Sequence, residues 1–407
     1  MLSVAEAHRR VIERARALPV VEVRPEDAVG RVLAEDVASD IDLPPFDKAL
    51  VDGYAVRAAE VNDGRPLIVG EEVLAGRTPT RPLAEGEAAV VMTGAPLPEG
   101  ADAMVMVEQA REVGDGRVAF DGGPVRPGQN RLTKGRELRA GEVVLRAGTR
   151  INAVHVGVLA SVGRVRVEVV RRPRVVVIPT GDELVDPGQV PGPGQIRNSN
   201  AGMLAALVRS DAATGPTWPI TPDDPEALRT ILAKALNWAD VLLVSGGVSA
   251  GKRDLVPEAL TNLGVEPVFH KVDVRPGKPL WFGVGKARAD RTRPLVFGLP
   301  GNPVSGVVSV LLFVRPALDV LNGGRPAGPP IERAMLAEPF AHRGPRPTFH
   351  PARAQRSAEG RLWVRPLDWA GSPDLRAVAE ADGFAAFPGG DADYPAGAAI
   401  EFLRISV

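Results

Sequence analysis

The 407-residue chain contains no cysteine, which excludes disulfides, thiolate nucleophiles and every zinc site built on sulfur. Histidine is scarce: the five residues, at 8, 155, 270, 342 and 350, show neither HxH nor HxxxH spacing. Any metal held here is therefore expected to be a hard one, taken by oxygen. Charge of one sign is also lacking, with 49 basic residues against 50 acidic ones. Nothing global points to nucleic acid or to an anionic membrane, so a charged ligand has to be met locally. The longest mostly apolar run, PVSGVVSVLLFV at 303–314, is short for a bilayer span and reads as a buried helix. The opening MLSVAEAHRRVIERARAL reads as a charged amphipathic helix and not as a secretory leader. These absences predict a cytoplasmic protein without nucleic-acid or membrane partners.

What is present falls into three compositional regions. Residues 53–150 are dense in Gly and Pro with short β runs (RPLIV, AAVVMTG, AMVMVE, GRVAF, EVVL), a β-rich pattern. A helix pattern at 152–162 suggests a mixed domain interrupted by this β insertion. From 174 the pattern changes: apolar strands alternate with helices at 199–209, 225–237, 254–263 and 303–321, which predicts a mostly parallel sheet covered on both faces. After about 326 short β segments return (FHPARAQ, LWVRPLD, GFAAFP, AAIEFLRI) and predict a small all-β module. The expected domains are 1–45 with 140–172, 46–139, 173–325 and 326–407.

Ligands of open α/β sheets bind beyond the carboxyl ends of the strands. That rule selects PTGDEL (179–184), VSGGVSAGKRD (244–254) and GLPGNPVSG (298–306). In the first, Thr180 and Glu183 stand at capping-box spacing, and a helix start is the plain structural explanation. In DDPEAL (223–228), Asp224 and Pro225 begin a helix conventionally, which leaves Asp223 without a structural task. In the third loop, Asn302 is expected to cap the apolar helix, with Ser305 in its first turn, while Gly298 and Gly301 admit close backbone approach. The turn RPGKPLWFG places Arg275 and Lys278 beside a Pro-Gly pair. Only seven of the basic residues are lysines, so a lysine in a Gly-rich turn suggests a need for a compact charge. Asp254, set among Lys252, Arg253 and an anion-cradling loop, is explained most simply as a ligand of a divalent cation that bridges protein carboxylates and phosphates.

These motifs, together with PPFDKALVDGYAV (44–56) and MTGAPLPEGADAMV (92–105), resemble the MoeA family of molybdopterin molybdenumtransferases, related to the gephyrin E domain. The resemblance covers essentially the whole chain. It implies a homodimer of four-domain subunits with an α/β molybdopterin-binding domain, a β-rich insertion and a C-terminal β-barrel. It further implies that adenylylated molybdopterin and molybdate give molybdenum cofactor and AMP with Mg2+, with the molybdopterin adenylyltransferase as a possible partner. Carried over residue by residue, it assigns Asp52 and Thr93 to the cleft, across a dimer interface. Glu183, Asp223 and Asp254 are assigned to the pyrophosphate and to Mg2+, with Glu183 and Asp254 as metal ligands. Lys278, Arg275 and Ser305 are assigned to molybdate, with Arg346 and Ser372 completing that pocket. Thr180, Gly181, Ser245, Gly246, Gly247, Ser249, Pro279, Gly301 and Asn302 belong to the ligand loops. Two departures stand out. Ala49 replaces a serine frequent in the family, and GQNRLTKGREL (128–138) carries Glu137 in place of an aspartate and shifts the expected arginine to Arg131.

Overall fold

The computed structural model describes residues 1–209, 213–248, 255–324, 329 and 331–405, with the backbone alone at 213–217. Its chain separates into two compact units: Val23–Val29 with Glu35–Val167, and Met1–Glu22, Gly30–Ala34 and Glu168–Val407.

The first unit is built on a six-stranded sheet. Its order is Ala103–Met106, Gly53–Val56, Glu87–Val91, Leu67–Val73, Arg117–Phe120 and Ala110–Gly114. Tyr54, Val56, Leu67, Val105 and Val118 pack in one apolar cluster. Ala55, Val73, Ala89, Val91 and Met104 pack in another. With apolar residues of successive positions going to different clusters, both faces are covered, which is why the runs read as continuous and not as alternating. Ala49 lies fully buried in the second cluster, where a hydroxyl would need a partner. Arg131 forms an ion pair with Asp47, and Asp47 also accepts from the Lys134 amide at 2.8 Å. The shifted arginine therefore serves to tie down the 44–48 segment.

The second unit contains a six-stranded sheet ordered Ala213–Thr217, Arg174–Pro179, Val241–Ser245, Leu295–Leu299, Trp281–Val284 and Glu266–His270. The first four strands run parallel; Trp281–Val284 runs against them and pairs antiparallel with both its neighbours. Helices Asn200–Leu207, Pro225–Trp238, Leu255–Asn262 and Pro303–Ser309 cover the sheet. The last continues through a π-helical turn, Val310–Val314, into Arg315–Leu321. It thus spans 303–321, as expected from the sequence. It is the only helix among the described residues long and apolar enough to cross a membrane, and 83% of its apolar window is buried in the protein.

A closed five-stranded barrel follows, in the order Ile331–Leu336, Leu362–Pro366, Thr348–Arg356, Gly383–Phe387 and Ala399–Arg404. Ala334, Leu336, Val364, Phe387 and Phe402 fill it.

At the amino end of the parallel strands, Asp240 is 2% exposed. Its carboxylate accepts from Arg171 at 2.6 and 2.9 Å, from the Arg174 amide at 2.8 Å and from Arg288 at 3.1 Å. Burial alone would raise its pKa, but these donors together hold it below the ordinary aspartate range. A depressed folded-state pKa contributes stability above the unfolded value of about 4 and loses it as pH falls through the folded one. Asp240→Asn should therefore cost about 2–4 kcal/mol at neutral pH, read as a lower urea midpoint. The difference from wild type should shrink on acidification below about pH 4.

Candidate functional site

The three parallel strands end level. Pro179 pairs with Ser245, and Ser245 with Leu299, so the loops following them leave the sheet side by side. The fourth strand of the site, Trp281–Val284, runs the other way, with Trp281 opposite Gly298. Its preceding turn, RPGKP, is brought by that reversal to the same edge. The described parts of the loops selected from the sequence meet there.

The loops are laced by backbone hydrogen bonds. Thr180, 2% exposed, donates its amide to the Ser245 carbonyl at 2.9 Å, Gly181 to Thr221 at 3.1 Å, and Gly246 to Leu299 at 3.0 Å. Two glycines are required by this closeness. A Cβ on Gly246 (φ +104) would lie 2.5 Å from the Thr180 carbonyl oxygen. Gly247 has φ +64 with the Val256 side chain against it, a backbone conformation that side chains other than Gly rarely adopt.

Over these loops lies a cavity of about 540 Å3. Its walls include Thr180, Gly181, Ser245, Gly246 and Gly247, together with Gly301 and Asn302. Glu183 and Asp223 supply its carboxylates. A second cavity of about 390 Å3 is lined by Arg275, Lys278, Ser305, Arg346, Trp369 and Ser372. The two cavities share Pro279, Pro300, Asn302 and Pro373, so they adjoin along a wall of three prolines and one asparagine.

Electrostatically the two differ. Among the described residues, Arg275, Lys278 and Arg346 form no ion pair with a carboxylate. Three unneutralised cations around one small cavity suit a compact anion. Arg275 is steadied by Trp369, with its guanidinium carbon 5.8 Å from the ring centroid. Its backbone docks on the barrel, donating to Pro347 and accepting from Phe349 at 2.8 Å each. Ser305 is 3% exposed, so its hydroxyl belongs to a dry wall. The first cavity offers carboxylate and amide oxygens, with neither His nor Cys in its lining. No group of three or more His, Asp or Glu that could cage a metal exists among the described residues. Such a donor set fits a hard cation held by one or two carboxylates plus ligand oxygens.

Two sequence expectations need correction. No helix follows Thr180; residues 181–183 turn into the short strand Leu184–Val185, so the spacing of Thr180 and Glu183 is not a capping box. The Asp223 amide donates to Asp182 Oδ1 at 3.0 Å, and the residue lines the larger cavity. Asn302 stands at the cap position, but its side chain caps nothing and donates instead to Ser372 Oγ at 2.9 Å. Asp224 and Pro225 begin their helix as expected. Ser249 and Asp254, with Lys252 and Arg253, lie outside the described residues.

Asp52 and Thr93 belong to the other unit and meet each other there. The Thr93 amide donates to Asp52 Oδ1 at 2.6 Å, and this bond, with the Thr93 hydroxyl, holds the Asp52 carboxyl below its ordinary range. Residues that sequence reasoning missed are Asn198, Asn200, Trp369 and Pro373. The segment Ile196–Asn200 carries a single charge, Arg197, and no Gly-rich signature, and Trp369 lies 91 residues beyond Lys278 in a different domain pattern. Neither position gave a local signal.

Comparison with known proteins agrees with this geometry. Residues 2–163 match the family described as MoeA N-terminal region (domain I and II), 176–320 a probable molybdopterin binding domain, and 333–405 the MoeA C-terminal region (domain IV). The chain is 33% identical over 409 aligned positions to a molybdopterin molybdenumtransferase of Staphylococcus aureus, covering 99% of this chain and 95% of that one. It is 32% identical to the corresponding protein of Staphylococcus epidermidis, with the same coverage. Among solved structures it is similar to a molybdopterin biosynthesis MoeA protein of Pyrococcus horikoshii. That likeness has a TM-score of 0.82 and 32% identity, covering 100% of each chain. The chain belongs to the MoeA family of molybdopterin molybdenumtransferases, enzymes of molybdenum cofactor biosynthesis.

Proposed function

We propose that this enzyme takes adenylylated molybdopterin in the larger cavity and molybdate in the smaller one, inserts the metal and releases AMP in a Mg2+-dependent reaction. The observation that carries the reading is the pairing of two adjoining cavities with different electrostatic character. One is lined by loop backbone, two carboxylates and Arg197, the other by three cations without carboxylate partners among the described residues.

The backbone amides of the Gly246 loop receive phosphate oxygens. Glu183 and Asp223 face those oxygens across the cavity and would repel them unaided. Both carboxylates, together with Asp254 if the role implied by the family resemblance holds, would hold Mg2+. The ion, when bound, neutralises the pyrophosphate and polarises the linkage to AMP. A Cβ on Gly181 would fall 2.4 Å from a Glu183 carboxylate oxygen, so glycine at 181 is what lets Glu183 occupy this position. In the smaller cavity, Lys278 supplies a point charge with three donors, Arg275 and Arg346 supply planar ones, and Ser305 and Ser372 add hydroxyl donors. Binding both reactants in neighbouring cavities removes most of the entropic cost of bringing them together.

The homodimer is part of the proposal, with Asp52 and Thr93 serving the cleft from the partner subunit. Mixing inactive Asp52→Ala and Glu183→Ala subunits should then restore activity once subunits have exchanged. No recovery after verified exchange would mean that each chain works alone.

Glu183→Gln keeps the size of the side chain and loses a charge. It should raise the Mg2+ concentration needed for half-maximal AMP release at least tenfold, with the unfolding midpoint unchanged. Normal Mg2+ dependence would remove Glu183 from the metal site. Lys278→Ala should raise the molybdate concentration for half-saturation roughly tenfold, the effect of losing one charge-assisted hydrogen bond. Lys278→Arg should restore part of the loss, because it keeps the charge and alters the donor geometry. Running the same titration with tungstate tests whether the pocket distinguishes two dianions of nearly equal size. Unchanged half-saturation in both Lys278 variants would return RPGKP to the status of an ordinary turn.

A further inference from the structure

The strands fix where the three ligand loops begin, but something else must fix the spacing of their tips. The segment Ile196–Asn200 touches all three. Its backbone binds the first loop, with the Ile196 amide donating to Glu183 O at 2.8 Å and the Asn198 amide to Val185 O at 2.9 Å. Its last side chain binds the other two. Asn200 Nδ2 donates to Ser245 Oγ at 2.9 Å and to Gly301 O at 2.7 Å. Asn200 is also the first residue of the helix Asn200–Leu207, whose Ala201, Leu204 and Ala205 are buried in the main core, so the amide is presented from a fixed base.

One feature of Asn200 argues against a purely stabilising role. Its Oδ1 is buried and has no hydrogen-bond partner among the described residues. A buried acceptor left unsatisfied costs free energy, offsetting what the two donated bonds contribute. An apolar or truncated side chain would serve the fold about equally well. What a forked donor adds here, beyond the Gly246–Leu299 backbone bond at the base of the loops, is a side-chain bridge from Ser245 to the Gly301 carbonyl. We infer that Asn200 is a positioning residue for the reaction, holding the Gly246 and Gly301 walls of the substrate cavity at the separation that the ligand requires. This inference rests on the assignment of adenylylated molybdopterin to that cavity.

The test compares Asn200→Ala, Ser245→Ala and the double variant, each measured by AMP release at varied adenylylated molybdopterin, at varied molybdate, and by urea unfolding. Asn200→Ala should raise the KM for adenylylated molybdopterin about tenfold. Its unfolding midpoint and its molybdate half-saturation should stay at wild-type values, because Arg275 and Lys278 are held by the barrel and their own turn. Ser245→Ala should give a smaller rise, and the double variant should match Asn200→Ala alone, since the bridge is already gone. A wild-type KM in Asn200→Ala would overturn the inference. So would a lowered midpoint with equal losses for both substrates, which would mark the residue as structural. If wild-type protein releases no AMP from this substrate, the functional reading itself fails. If it does so and Asn200→Ala behaves as wild type, only the positioning role fails.

Discussion

The site depends on one constraint, the backbone register of three parallel strands. Pro179, Ser245 and Leu299 stand opposite one another, and the apolar residues of these strands are almost completely buried. Val175, Val177, Leu243 and Phe297 pack in one core and Val176, Ile178, Leu242 and Val296 in another, so a slip of one residue would exchange the side chains fitted to the two cores. Because the strands end level, their loops emerge together, and a cavity forms without any loop having to reach far. The buried Asp240 and its arginines tie down the opposite end of the same strands, away from the ligand loops.

The smaller cavity depends on the same sheet by a less obvious route. A turn that precedes an antiparallel strand lies at the same edge as loops that follow parallel ones. That places Lys278 and Arg275 beside Ser305, the first-turn serine of the helix leaving the Gly301 loop. The barrel closes the arrangement through Arg346, Trp369 and Ser372. It is joined to the sheet domain by the bond from Asn302 to Ser372 and by the Val304 amide donating to the Ser372 carbonyl at 3.1 Å. The cavity assembled from these two parts has the buried Ser305 on one side and cations on the other, a combination suited to a compact anion.

Much of this was legible in the sequence, for definite reasons. Strand–helix alternation after residue 174 is a strong periodic signal, and the carboxyl-end rule then picked loops that do line one cavity. Lys278 stood out because lysine is rare in this chain. The failures have equally definite causes. Thr180 and Glu183 matched a capping box by spacing alone, whereas the glycine between them let the chain turn into a short strand. Asn302 was read as a cap because local sequence cannot show that Ser372, 70 residues on, competes for its amide. Asn200 was invisible for the same reason. Its importance lies in two partners 45 and 101 residues away, and no local pattern encodes such contacts.

If the two cavities serve one reaction, AMP release by the purified protein measures it most directly. Adenylylated molybdopterin would be supplied with Mg2+, and molybdate added over a range of concentrations. AMP release should saturate with molybdate and fall away when either the oxyanion or the metal ion is withheld. AMP release at full rate without molybdate, or none with it, would show that the cavities do not work together.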